Sequence, residues 1–334
     1  MKNSYIYPNT LKTKEEKNPY ISDFTNSLSK YFNFLNKDKP TNSGIIDLFK
    51  YVSKLDIIFF HWIEDVPDKK GGIAQTFAFY ILIIIIKLRR IKIFYTLHNK
   101  ESHYSTNKFL KKLVKKTILR HSDYIVCHAS DGLKLVNNNQ KNKIKYIPHP
   151  FKKFNVQDNL DEEKYDILIW GAIRPYKGID EYLKYLISNK LRNKYKTLII
   201  GKIFPKEYED ELMKYNSDKV QIENKYIDDL TLNSLIAKSK ITLFTYNEKS
   251  VLSSGALVYS LSQGAMIIGP NIGAFQDLYS EELIDVFENY DDLIKKIDSH
   301  LKVGNNYSDK IIKFVDLNTW DNYGEKIAKW IAEK

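Results

Sequence analysis

Two cations three positions apart, Arg174 and Lys177, lie in the segment Gly171-Ala172-Ile173-Arg174-Pro175-Tyr176-Lys177-Gly178. The apolar run 165–170 precedes it, and helically spaced apolar residues follow at 179–187. That order predicts a buried strand, a loop and a helix. Guanidinium and ammonium groups on such a loop suit a diphosphate, because both make charge-assisted hydrogen bonds to phosphate oxygens. A second anion site is expected where the apolar run ending at Tyr246 leads to Ser253, Ser254 and Gly255. Either serine can cap a helix, whose first N–H groups and dipole favour a phosphate, and Gly255 allows close approach. An ordinary capped helix is the plain alternative. A third cluster, His98, Asn99, Glu101 and His103, follows the apolar run 91–97 and reads as an acid/base or sugar-binding set. His61-Trp62 and Glu64-Asp65 close another run, which adds Asp65 or Glu64 as a candidate base. Solvated loops and core packing of Trp62 are the alternatives there.

These residues need strand ends to hold them. Strand patterns fall at 5–7, 55–61, 91–97, 124–127 and 144–147, and again at 167–170, 197–200, 220–222, 241–246 and 265–268. Helical patterns fall at 20–34, 73–88, 107–120 and 130–138, then at 179–187, 206–215, 230–237, 252–262 and 291–300. Alternation of this kind predicts mostly parallel sheets covered by helices. It restarts after Pro148-His149-Pro150. The expected organisation is therefore an α/β first domain at 1–152 and a second at 153–312, both Rossmann-like and facing a cleft. A closing amphipathic segment at 313–334 follows.

From Trp170 to Asp277 the order is cationic loop, capped helix, Gly264, apolar strand, Pro270 and a turn carrying Gly273. This stretch, about 165–280, resembles the donor half of nucleotide-sugar glycosyltransferases of the GT-B fold. It is most similar to the bacterial surface-polysaccharide branch that reads Ser-Gly-Ala-Leu at the capped helix, here Ser254 to Leu257. The resemblance implies a donor diphosphate held by Arg174, Lys177, Tyr246, Ser253, Ser254, Gly255 and Gly273. It implies that His98 contacts the donor sugar from the acceptor-side domain, with Glu101 or Asp65 as base, and that the last helix crosses back to the first domain. Tyr259 and Val251 stand where many retaining members carry two glutamates. The implied partners are a nucleotide sugar and a saccharide acceptor, lipid-linked in the surface-polysaccharide setting. No cofactor or metal is expected, since arginine, lysine and helix dipoles can hold the leaving group.

Bulk properties narrow the classes. The chain has 334 residues, enough for two domains. Its single cysteine, Cys127, excludes a disulfide framework and suits a reducing, cytoplasmic setting. No secretory leader pattern is visible. Residues 1–150 hold 26 Lys and Arg against 12 Asp and Glu, whereas the remainder holds 26 against 29. A first half at +14 is expected to meet something anionic, such as the inner face of a membrane or a phosphorylated acceptor. A solvated lysine surface is the plain reading. The apolar stretch 73–86 is too short to span a bilayer and is read as a helix buried against a sheet. Residues 107–120 read as an amphipathic helix with Leu110, Leu113, Val114, Thr117 and Ile118 inward and lysines outward. Competing readings are a basic nucleic-acid- or membrane-binding protein without transferase activity, and a sugar-nucleotide epimerase of the same fold. Nucleic acid is disfavoured because no recognition motif accompanies the charge. A dinucleotide oxidoreductase is disfavoured because Tyr7-Pro8-Asn9-Thr10 follows the first strand where a glycine fingerprint would be needed.

Overall fold

The computed structural model describes residues 1–10, 19–100, 107–153, 164–247, 252–303 and 309–333. The chain forms two compact units, one of Met1–His149 with Thr319–Lys334, the other of Pro150–Asn318.

The first unit carries a six-stranded sheet in the order β2-β1-β3-β4-β5-β6, with every neighbouring pair parallel. Its strands are β1 (Lys2–Tyr7), β2 (Phe32–Phe34), β3 (Ile57–His61), β4 (Lys92–Leu97), β5 (Tyr124–Cys127) and β6 (Ile144–Tyr146). The helices are α1 (Pro19–Leu28), α2 (Gly72–Leu88) and α3 (Lys108–His121). β3 and β5 are buried along their whole length, which is why they read as unbroken apolar runs rather than alternating ones. One face of the sheet packs Phe59, Phe94 and Val126 against Phe24 and Leu28 of α1. The closing helix α11 (Trp320–Ala332) joins that core through Tyr323, Ile327, Trp330 and Ile331. A Cβ on Gly324 would meet the Ser27 carbonyl oxygen at 2.4 Å, so only glycine lets α11 lie this close to α1.

The second unit carries the sheet β12-β11-β10-β7-β8-β9, also parallel throughout. Its strands are β7 (Tyr165–Trp170), β8 (Thr197–Ile200), β9 (Val220–Glu223), β10 (Ser239–Leu243), β11 (Ile267–Pro270) and β12 (Asp285–Phe287). Helices α4 (Ile179–Ser188), α5 (Lys206–Met213), α6 (Asp229–Ala237), α7 (Gly255–Ser262), α8 (Gly273–Ser280), α9 (Tyr290–Val303) and α10 (Asp309–Leu317) surround it.

Several expectations need correction. The segment 20–34 is not one helix: α1 stops at Leu28, and Phe32–Phe34 pairs with β1 as an edge strand. Residues 130–138 form 3-10 turns rather than an α-helix. The helix expected at 252–262 starts only at Gly255, and Gly273 opens a helix rather than a turn.

Candidate active site

Each sheet has one place where strand order reverses, and there the loops leaving neighbouring strands part to form a crevice. In the second unit that place lies between β7 and β10. The loop after β7 carries Arg174 and Lys177; the chain after β10 carries Tyr246 and leads to α7.

Lys177 is buried, and no ion pair holds it among the described residues. Burial lowers its pKa from the usual lysine value, and Arg174 nearby pushes the same way. Its Nζ lies 5.3 Å from the centre of the Tyr246 ring. A Cβ on Gly171, whose φ is +102°, would sit 3.3 Å from that Nζ and 3.7 Å from Ala256 Cβ. Lysine, glycine loop and first turn of α7 therefore share one small space. Ser254 caps α7 by accepting from Leu257 N–H and exchanges a 3.0 Å hydrogen bond with Tyr246 OH. Burial pushes the Tyr246 phenol up to about 12, so it stays protonated. The Ser253 Oγ is buried with no partner among the described residues, and the space beside Gly255 is open. A cation held below its normal pKa, an orphan hydroxyl and the free N–H groups of a helix start are together a receptor for an anion. Arg174 is partly exposed and lies over the Phe204 ring at 5.1 Å. Gly273 starts α8 with φ +51°, and the next residue, Ala274, donates to the carbonyl of Leu252, just before Ser253.

Residues that the sequence reading missed hold this loop. Thr245 donates its hydroxyl to the Lys177 carbonyl at 2.6 Å, and Asn247 N–H donates to the Tyr176 carbonyl at 3.2 Å. Gly178 has φ +64°, and a Cβ there would meet the Thr245 carbonyl oxygen at 2.5 Å. The Gly directly after Lys177 was the available signal. Tyr259 turns away from this crevice: its hydroxyl donates to Asn233 Oδ1 of α6. Val251 lies outside the described residues.

In the first unit strand order reverses between β1 and β3. A cavity of about 390 Å³ opens there, lined by Tyr7 and Asn9 after β1, Thr25 and Asn26 of α1, and Trp62 and Asp65 after β3. Trp62 has φ +47° and ψ +32°, a left-handed conformation that costs a bulky residue energy and marks a constrained site. Its ring stacks on His98 with centroids 3.9 Å apart. His61 Nδ1 and His98 Nε2 are 3.1 Å apart. Burial lowers His61 to about 3 and His98 well below the normal value, so both are neutral and one donates to the other. His128 extends the group. Its Nδ1 donates to the Ile147 carbonyl at 2.9 Å, which leaves Nε2 to accept from Tyr20 OH at 2.7 Å. His149 and Trp320 pack edge-on to the same Tyr20 ring. The sequence reading missed Tyr20, His149 and Trp320, since they come together from three distant segments.

Asp65 makes an ion pair with Lys111 Nζ at 3.7 Å. Glu64 is buried, accepts from Tyr95 OH at 2.9 Å, and burial raises its pKa above the usual glutamate range. Glu101 lies outside the described residues, but Lys115 fastens the preceding loop by donating to the Asn99 carbonyl at 2.9 Å. Lys111 and Lys115 thus do not point outward with the other lysines of α3, and Leu113 is exposed rather than buried. No group of His, Cys, Asp and Glu able to hold a metal ion is found among the described residues.

No protein-family model and no curated protein matches the sequence. Solved structures do. HepE of Anabaena in complex with UDP superposes with TM-score 0.72 at 11% identity over 100% of both chains. AviGT4, a glycosyltransferase involved in avilamycin A biosynthesis, gives 0.62 at 10%, covering 98% of this chain and 96% of its own. A putative UDP-N-acetylglucosamine 2-epimerase from Listeria monocytogenes gives 0.54 at 11%, covering 99% and 97%. With the two parallel six-stranded sheets, these likenesses establish the GT-B fold.

Proposed function

We propose that this chain is a glycosyltransferase that moves a sugar from a nucleoside diphosphate donor to a saccharide acceptor, lipid-linked and used in bacterial surface-polysaccharide synthesis. The observation that carries this is the buried Lys177, without an ion pair among the described residues, beside the start of α7 and the orphan Ser253 hydroxyl. That HepE was solved with UDP and with UDP-glucose makes UDP-sugars the first donors to test.

In the reaction the bond from the anomeric carbon to the diphosphate oxygen breaks, and a bond from that carbon to the acceptor oxygen forms. Lys177, Arg174 and the N–H groups around Gly255 stabilise the departing diphosphate where its charge grows. Neutral His98, fixed by Trp62 and His61, hydrogen-bonds a donor-sugar hydroxyl. Glu101 takes the acceptor proton, with Asp65 the next candidate.

Thermal-shift measurements with UDP, UDP-glucose and other nucleoside diphosphates test the reading. A ligand that binds only the folded chain raises its melting temperature. UDP should raise it; no shift with any member of the panel contradicts the proposal. Conversion of the bound nucleotide sugar to its epimer without any acceptor would favour the epimerase reading instead.

A further inference from the structure

Helix α2 is apolar on the side that faces solvent. Gln75, Phe79, Leu82, Ile83 and Ile86 are buried, yet Ile73, Phe77, Ile81, Ile84 and Leu88 are exposed, Ile73 and Leu88 at 79% and Phe77 at 69%. At 100° per residue these five fall within an arc of about 80°, as a stripe about 22 Å long. The expectation of a helix buried against the sheet holds for one side only. Nor can α2 rotate to hide the stripe. Gln75 fixes its inner side by accepting from Ile45 N–H at 3.1 Å and donating to the Lys70 carbonyl at 2.7 Å.

Helix α3, which packs against α2, also exposes apolar residues. Phe109 of α3 is 73% exposed, and Leu113 one turn on is also exposed. Exposed basic residues flank these apolar positions along the chain: Lys69 and Lys70 before α2, Arg89 and Arg90 after it, and Lys108 and Lys112 on α3. The nearby carboxylates are engaged elsewhere. Asp65 and Asp68 pair with Lys111, and Asp123 pairs with Lys87 and Lys92. No helix among the described residues is long and apolar enough to cross a membrane.

We propose that this face of the first unit docks on an anionic lipid surface, with α2 lying in the interfacial plane and its stripe among the acyl chains. An apolar stripe within a basic rim is the pattern such insertion needs, because buried area and attraction to anionic headgroups act together. A second copy fits worse: a two-fold contact would set the same basic rim against itself. The inference deepens, and so far rests on, the lipid-linked part of the proposed function, but it uses nothing at the nucleotide crevice.

The test is sedimentation of the full chain with vesicles of phosphatidylcholine and phosphatidylglycerol against vesicles of phosphatidylcholine alone, with UDP thermal shift measured on the same samples. The native chain should bind the anionic vesicles, and binding should fade as salt is raised. Phe77→Gln with Ile84→Gln should weaken it on the order of tenfold or more, since two inserted apolar side chains are lost. Both positions are exposed, so the melting temperature should hold. Lys108→Glu with Lys112→Glu should weaken it and flatten its salt dependence. Absent vesicle binding, equal binding to neutral vesicles, or unchanged binding in the Phe77/Ile84 variant would each overturn the proposal. So would a dimer that the Phe77/Ile84 variant dissociates while vesicles are ignored. A normal UDP shift in the same samples would leave the nucleotide reading standing.

Discussion

The two crevices at the strand-order reversals occupy equivalent places in two similar sheets, yet their chemistry is opposite. In the second unit the reversal between β7 and β10 is lined by a buried cation, glycines and a capped helix start. In the first unit the reversal between β1 and β3 is lined by a strained tryptophan and a carboxylate, and that tryptophan stacks on one of a cluster of neutral histidines behind it. Sheet topology supplies the opening; the loops decide its charge and its hydrogen-bonding groups. One crevice has the cation and N–H donors that an anion would need. Beside the other, the histidine cluster carries no positive charge when folded, since burial keeps His61, His98 and His128 neutral.

The largest effect that would break this division is on turnover. Glu101→Gln should slow transfer by about 10²–10⁴, the usual cost of losing a general base, with donor affinity unchanged. Full turnover in that variant passes the role to Asp65, and Asp65→Asn should then show the loss.

A smaller effect concerns the frame of the cationic crevice. Gly178→Ala puts a Cβ against the Thr245 carbonyl oxygen at 2.5 Å in a left-handed conformation. It should cost about 1–3 kcal/mol of stability, read as a lower melting temperature, and weaken UDP binding because Lys177 is the adjoining residue. An unchanged melting temperature would mean the loop is looser than described.

Separate from these is the acid response, which should distinguish the units. The folded first unit holds His61, His98 and His128 neutral, whereas the unfolded chain protonates them near pH 6.5. The unfolded state therefore binds more protons below that pH, and stability falls as pH falls, for His61 until about pH 3. The slope is on the order of 1 kcal/mol per pH unit for each such histidine. Urea unfolding followed by tryptophan fluorescence reports mainly on the first unit, which holds Trp62, Trp320 and Trp330. Its midpoint should fall between pH 7 and pH 5, and less so in His61→Asn. A midpoint flat with pH would deny that the cluster is neutral when folded.

The contrast was unequally legible in the sequence. The cationic crevice draws on two short contiguous segments, so Arg174, Lys177, Ser254 and Gly255 could be read off directly. The histidine cluster draws on α1, the ends of β3, β4 and β5, the segment after β6 and the closing helix, and only His61, Trp62 and His98 stood out. Buried strands such as β3 and β5 declare themselves by apolar runs, whereas β2 and β12 are three-residue edge strands whose pairing is decided by tertiary contacts. α2 misled for a related reason: an apolar run shows that a helix avoids water, not which side the protein itself covers.

The central claim is that diphosphate recognition belongs to the second crevice alone. Calorimetric titration of UDP into Lys177→Ala and His98→Ala, side by side with the native chain, tests it most directly. Lys177→Ala should lose about 1.5–3 kcal/mol of binding free energy, the scale of a charge-assisted hydrogen bond, while His98→Ala should bind UDP as the native chain does. Native affinity in Lys177→Ala, or lost affinity in a folded His98→Ala, would contradict the account.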